Sequence, residues 1–292
     1  MRGRDPNLPR FESDVLCDPE RDASHRLPIS VVVITKDSGR TLSESLKSIT
    51  ANHPSEIIVV DGGSSDSTLN IARKYADRIY VDGGRGKSLA RMIGALRATQ
   101  PILAYVDSDV IIPPGSLEVM SSELGFGDCV AVSALLAPKQ HEGLSYWTRA
   151  GYWQDGFTRT RIGDNGLATA CCVIRRETVL SYGFELHYGG GLDDRDLSKR
   201  LLADGKKMKL SKIVCAHDKN TDFRTFVKYH FHLGQVGKGY LEKYGLEEIT
   251  RFPLGVALFW VLFALTRAKL IFVPYFFVRG IVESLGFFSF IH

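Results

Sequence analysis

A chain of 292 residues, 44% of them apolar, is long enough for one large domain with appendages and for a real core. A formal net charge of +4 with no concentrated basic run argues against nucleic acid as a partner. Five cysteines (Cys17, Cys129, Cys171, Cys172, Cys215) show neither a C-x-x-C pair nor zinc spacing, and read as reduced core thiols of a cytosolic setting.

The opening stretch, MRGRDPNLPRFESDVLCDPERDASHR, alternates charges with prolines and lacks the apolar segment of a secretory signal peptide, so it reads as a solvated, loosely ordered extension. ISVVVIT then supplies a continuous β-branched run, the composition of a parallel strand buried on both faces. TLSESLKSIT follows with apolar residues at Leu42, Leu46 and Ile49, which is helical spacing. EIIVVD is a second strand ending at Asp61, and GGSSDST leads into the helix LNIARKYA, where Ser67 or Thr68 can cap. RIYVD ends at Asp82, GGRGKS opens the helix LARMIGALRAT, and ILAYVD is the fourth strand. Strands alternating with helices imply an α/β fold with a mostly parallel, Rossmann-like sheet and right-handed crossovers.

Ligands of such sheets bind where the strands' carboxyl ends meet the loops. Polar residues follow all four strands there: Thr35-Lys36-Asp37, Asp61, Asp82 to Lys87, and Asp107-Ser108-Asp109. Side chains alternate along a strand, so Asp107 and Asp109 point the same way and can serve one ligand. Two nearby carboxylates repel without a cation or donors, and oxygen ligation at a strand's end suits Mg²⁺ or Mn²⁺. The alternative is an Asx-type turn leading into Pro113-Pro114-Gly115. GRGKS is not the end of a phosphate-binding P-loop, which would need glycine where Val81 stands. The dinucleotide fingerprint G-x-G-x-x-G is absent from the first turn, TKDSGRT, which excludes the usual nicotinamide oxidoreductase.

Taken together, VVVITKDSGRTLSESLKSI, EIIVVDGGSSDST, GKSLARMIGA, ILAYVDSDV, CVIRRETVLSYGFE and LDDRDLSKRLLADGKKM resemble glycosyltransferase family 2, nucleotide-sugar-dependent enzymes of the GT-A fold, over roughly residues 29 to 218. The resemblance implies an inverting enzyme with Thr35, Asp37 and Asp61 around the donor's base and ribose, and Arg91 near its diphosphate. This chain has Met92 where the family's A-R-N stretch has asparagine. Asp107 and Asp109 match the D-x-D motif, which implies a divalent metal held chiefly by Asp109, with Asp107 nearer the ribose or a metal-bound water. A bound cation stabilises the charge of a departing nucleoside diphosphate.

In GGGLDDRDLSKRL, Asp193 replaces the family's usual glutamate and Asp194 keeps its aspartate. An acceptor hydroxyl needs a base within reach, and Asp194 is the candidate; the alternative is that Asp193, Asp194 and Asp196 only complement a helix N-terminus. His217, in VCAHD, resembles the late histidine that completes the metal or diphosphate site in some members. Trp147 and Trp153, between the two acidic motifs, either stack on an acceptor sugar or belong to an amphipathic helix at a membrane boundary.

The expected organisation is a polar extension over 1–28, a catalytic domain over 29–225 and a membrane-associating helical segment over 226–292. A bilayer core of about 30 Å needs about 20 helical residues. FPLGVALFWVLFALT supplies 15 before Arg267, so short interfacial or re-entrant helices on the cytoplasmic leaflet are favoured over a clean span, an oligomerisation platform being the alternative. The functional expectation is transfer of a sugar from a UDP- or GDP-linked donor to a hydroxyl of a glycan or lipid-linked saccharide. The rival within the class is a polyprenyl-phosphate sugar synthase, whose anionic acceptor needs no strong base; outside it stand a nucleotidyltransferase and a non-catalytic membrane scaffold.

Overall fold

A computed structural model describes residues 14–15, 26–125, 127–140, 142–157, 166–186, 191–245, 261–262, 264–265 and 270–289. Among them the strands are Asp14–Val15 (β1), Leu27–Thr35 (β2), Pro54–Asp61 (β3), Arg78–Val81 (β4), Ile102–Val106 (β5), Val110–Ile111 (β6), Cys129–Pro138 (β7), Cys171–Arg175 (β8) and Lys207–His217 (β9). The helices are Leu42–Thr50 (α1), Thr68–Ala72 (α2), Lys87–Arg97 (α3), Ser116–Leu124 (α4), Tyr146–Phe157 (α5), Arg176–Tyr182 (α6), Asp193–Ala203 (α7), Phe223–Tyr244 (α8) and Val273–Phe288 (α9).

All nine strands form one sheet in the order β1-β4-β3-β2-β5-β8-β7-β9-β6. The first half is the expected parallel array, β4, β3, β2 and β5, with β1 added antiparallel at its edge. Beyond β5 the sheet is mixed: β8 runs antiparallel to β5 and β7, β9 lies parallel to β7, and β6 pairs antiparallel with β9. The strand Asp14–Val15 lies within the stretch read as a loose extension; of the remainder of that stretch, only Arg26 to Pro28 are described.

β2 explains why a run without polar alternation is a strand. Ile29, Val31 and Val33 pack on one side with Leu42, Leu46 and Ile49 of α1 and with α4, whereas Val32 and Ile34 pack on the other with Ala90 and Ile93 of α3 and Leu197 and Leu201 of α7. Both faces are covered, so every position must be apolar. On the α3 side the approach is close: a Cβ at Gly94 would lie 2.3 Å from Val32 Cγ1. Neither Ser67 nor Thr68 caps α2 with its side chain; Asp66 Oδ1 accepts from Thr68 N at 3.0 Å instead.

The residue chosen to divide the catalytic and terminal segments, 225, falls inside α8, which begins at Phe223 and packs on both α5 and α9. The α8–α9 crossing brings backbones together: a Cβ on Gly234 would meet Glu283 O at 2.0 Å, and one on Gly286 would meet Phe231 O at 2.1 Å. Between these helices His230 Nδ1 contacts Glu283 Oε1 at 2.7 Å, and Arg279 binds Glu283 at 2.8 Å and Gln154 of α5 at 2.7 Å. Leu270–Phe288 is long and apolar enough to cross a membrane by length and composition, but its polar residues are turned inward here. Most of the apolar run over 252–266 lies outside the described residues.

Candidate active site

The carboxyl ends of β2, β3, β4 and β5 meet at the point where the chain turns from the β3 side of β2 to the β5 side. Their loops are laced together. Asp37, at a positive φ of 46°, accepts from Ser65 N at 2.8 Å, and its own N donates to Ser64 Oγ. Asp61 is fully buried and accepts from Gly63 N at 2.9 Å and Ser64 N at 2.8 Å. Both carboxylates therefore shape the loops that edge the crevice. Thr35 is different: its Oγ1, at the end of β2, is buried without a hydrogen-bond partner among the described residues.

The D-x-D pair is fixed by three strand ends. Asp107 N donates to Ala170 O at 2.9 Å, and Ser108 Oγ meets Ser38 Oγ at 2.9 Å. β6 pairs Val110 with His217, and Asp218 N donates to Asp109 O at 2.8 Å. The register brings His217 Nε2 to 3.3 Å from Asp109 Oδ2, so residues 108 positions apart form a carboxylate–imidazole pair. Tyr152 of α5 closes over it, its OH donating to His217 O at 3.2 Å. Burial pushes the Asp109 carboxyl up, but the hydrogen bond and charge of His217, with Lys219 and Lys87, outweigh it and hold the group below the usual carboxylate range.

No group of three His, Cys, Asp or Glu side chains able to hold an ion by themselves is present among the described residues. The donor set still fits Mg²⁺ or Mn²⁺: one or two carboxylates and an imidazole on one edge leave positions that a diphosphate and waters fill.

The acidic pair opens α7. Asp193 is buried and accepts from Arg91 Nη1 of α3 at 2.6 Å, while Arg91 Nη2 lies 3.9 Å from Asp107 Oδ1. Desolvation and the adjacent Asp193 raise the pKa of Asp194, with Arg91 acting in the opposite direction. A carboxyl raised in this way is a better proton acceptor than an ordinary surface aspartate. Asp196, two residues on, is fully buried and bound by Arg200 at 2.8 Å, Lys243 at 2.7 Å and Tyr244 OH at 2.6 Å, which anchors α7 to α8.

Trp147 and Trp153 lie among aromatic rings. Trp147 packs on Phe226 with centroids 4.4 Å apart and on Phe223 at 4.9 Å; Trp153 packs on Phe272 at 5.5 Å. They join α5 to α8 and to the segment before α9. A residue that the sequence reading did not single out is the half-exposed Tyr229 of α8, with Lys219 Nζ 5.4 Å from its ring centre. Nothing local in the sequence marks it, because α8 reaches the site through long-range packing, on α5 and, by way of Lys243 and Tyr244, on Asp196 of α7.

Residues 30–183, just over half of the chain, match the profile described as Glycosyl transferase family 2. The succinoglycan biosynthesis protein ExoU of Rhizobium meliloti is 24% identical over 203 residues, 62% of this chain and 59% of that protein. Validoxylamine A glucosyltransferase of Streptomyces hygroscopicus subsp. limoneus is 34% identical over 107 residues, 33% of this chain. The match spans only 24% of that relative's own length. Among solved structures, the mannosyltransferase PcManGT of Pyrobaculum calidifontis, in complex with GDP-Man and Mn²⁺, aligns with a TM-score of 0.59 at 20% identity, covering 76% of this chain and 65% of that one. Glucosyl-3-phosphoglycerate synthase of Mycobacterium tuberculosis, in complex with Mn²⁺, UDP and glucosyl-3-phosphoglycerate, aligns at 0.53 and 20% identity over 73% of this chain and 78% of that one. At these identities the structural likeness speaks for the fold.

Proposed function

The chain belongs to glycosyl transferase family 2, and on that premise we propose that it transfers a sugar, with inversion, from a UDP- or GDP-linked donor to a hydroxyl of a glycan or lipid-linked saccharide at the cytoplasmic face of the membrane. The observation that carries this reading is the meeting of two acidic motifs at one crevice: Asp109 paired with His217 at 3.3 Å, and the Asp193–Asp194 pair joined to Asp107 through Arg91.

Asp109, Asp107 and His217 would hold a divalent cation. That ion supplies Lewis-acid stabilisation of the leaving diphosphate. The protein's own part is to align and to accept a proton. Thr35 offers an unpaired hydroxyl to the donor's nucleoside, and Asp37 and Asp61 keep the two loops beside it in shape. Asp194 takes the proton from the acceptor hydroxyl as its oxygen attacks the anomeric carbon. Asp193 is engaged by Arg91, and Asp107 and Asp109 are assigned to the cation, so among the described residues Asp194 is the carboxylate left to act as base, the arrangement a single inverting displacement uses. A raised Asp194 favours a hydroxyl acceptor over an already anionic phosphate.

The membrane reading rests on α9. Phe277, Leu285 and Phe288 of α9, and Leu270 in the turn before it, are each about 60% exposed, whereas Glu283 faces His230 of α8 and Arg279 faces Gln154 of α5. An apolar outer face with polar groups turned to the protein suits a helix lying in the interface plane rather than crossing it. The test is to incubate the protein with UDP- and GDP-sugars, Mn²⁺ and membrane extract, follow nucleoside diphosphate release, and assign the anomer of the product by NMR. Release that needs Asp109 and Asp194 and gives the inverted anomer supports the proposal; a retained anomer, or release indifferent to both aspartates, overturns it.

A further inference from the structure

The resemblance aims Arg91 at the donor's diphosphate, yet the side chain is only 5% exposed and its Nη atoms face two carboxylates, leaving Nε as the buried donor without a partner among the described residues. Its Nη1 donates to Asp193 Oδ2 at 2.6 Å across 102 residues of sequence, its Nη2 faces Asp107 Oδ1 at 3.9 Å, and its guanidinium carbon lies 5.8 Å from the centre of the Phe184 ring. Its own backbone is fixed too, because Tyr105 OH in β5 donates to Arg91 O at 3.1 Å. A bidentate-capable cation held this way joins three elements: α3, which carries it, β5, which ends at the D-x-D motif, and α7, which starts at the acidic pair.

We propose, on the functional reading above, that Arg91 is a positioning residue of the transfer reaction: clamped on Asp193 and facing Asp107, it fixes the first turn of α7 against the end of β5 and keeps Asp194 available as an ionised base. Asp194 cannot do this from α7 alone. Among the described residues, the charged and titratable groups that act on it or are acted on by it are Asp193 and Arg195 of α7, Arg91 of α3, Cys172 of β8 and Tyr229 of α8. Of these, Asp193 disfavours ionisation and Arg91 favours it, so neutralising each one moves Asp194 in opposite directions.

That opposition gives a test that a purely structural role does not pass. The variants are Arg91→Met, Arg91→Lys and Asp193→Asn, each assayed for kcat, for donor KM and for the pH dependence of kcat. Arg91→Met should lower kcat at least tenfold with donor KM within about threefold of wild type, and should move the acid limb of the profile to higher pH. Asp193→Asn should move that limb to lower pH. Arg91→Lys, which keeps the charge, should recover part of the lost kcat and restore the wild-type limb; it also serves if Arg91→Met does not fold. A rise in donor KM with kcat unchanged would make Arg91 a diphosphate ligand and overturn the proposal, as would limbs that move together or stay still. A wild type that transfers no sugar from any donor would instead refute the functional reading beneath it, which separates the two failures.

Discussion

Replacing Gly234 with alanine tests whether α8 and α9 form one rigid unit with the catalytic domain. A Cβ there would lie 2.0 Å from Glu283 O, 2.8 Å from Glu283 C and 2.9 Å from Phe287 N, all backbone atoms. The carbonyl would have to retreat about 1.4 Å, to the 3.4 Å at which ordinary contact begins. No side-chain rotation can absorb this, so the helices must part, and the 2.7 Å contact of His230 Nδ1 with Glu283 Oε1 parts with them. Overpacking of this kind costs about 1–3 kcal/mol and a lost buried hydrogen bond to a charged group about 1.5–3 kcal/mol. Better helix propensity returns about 1 kcal/mol, leaving a net loss of about 2–5 kcal/mol. At about 2–4 °C per kcal/mol, the melting temperature read by circular dichroism should fall by at least about 4 °C. Gly156→Ala in α5 is the control, since a Cβ there meets nothing within 4 Å, and it should be neutral or slightly stabilising. Equal melting temperatures for Gly234→Ala and the control would refute the close α8–α9 crossing.

Asp194→Asn should lower kcat by about 10² to 10⁴, with nucleotide binding retained, because only the proton acceptor is lost; stopped-time product assays read the first and calorimetry the second. The pKa of His230 is lowered by burial, so between its folded value and about 6.5 the unfolded chain binds more protons and stability falls as pH drops through that window. The wild type should therefore lose more thermal stability between pH 7.5 and 5 than His230→Gln does; equal slopes would count against a buried neutral imidazole. Phe277→Asp/Leu285→Asp changes two exposed apolar residues of α9, and should abolish sedimentation with anionic vesicles while leaving the melting temperature unchanged. Undiminished sedimentation would remove α9 as the membrane contact.

Much of the first half of the fold is legible residue by residue. The run ISVVVIT can be placed as a central strand because both of its faces are buried. Alternation alone leads one to expect Asp107 and Asp109 on one face of a strand, but β5 ends at Val106 and the pair lies in the turn that follows, closed by Val110 N donating to Asp107 O at 3.0 Å. The second half is less legible because its pairings are long-range. No local pattern tells that β6, two residues long, will pair with the end of β9 and so bring His217 to Asp109. The same holds for Arg91 and Asp193: each reads alone as a helix-surface charge, and only the packing of α3 beside α7 buries them as a pair. Asp193, Asp194 and Asp196 look alike as a cluster at a helix start, yet Asp193 is gripped by Arg91, Asp194 has its carboxyl pKa raised by burial and by Asp193, and Asp196 holds α8 through Lys243 and Tyr244. Trp147 and Trp153 show the limit of composition, since an aromatic residue is equally suited to a sugar face and to a helix crossing. In the structure Trp147 packs on Phe226 and Trp153 on Phe272, contacts between elements that no local pattern announces.

A nucleotide-sugar site built on Asp109 and a divalent ion is tested by calorimetric titration of UDP and GDP into the wild type and Asp109→Ala, with and without Mn²⁺. One of the two diphosphates should bind the wild type only when Mn²⁺ is present, and Asp109→Ala, folded to the same melting temperature, should not bind it. Binding that is indifferent to Mn²⁺ and to Asp109, or no binding of either diphosphate under any condition, would contradict such a site.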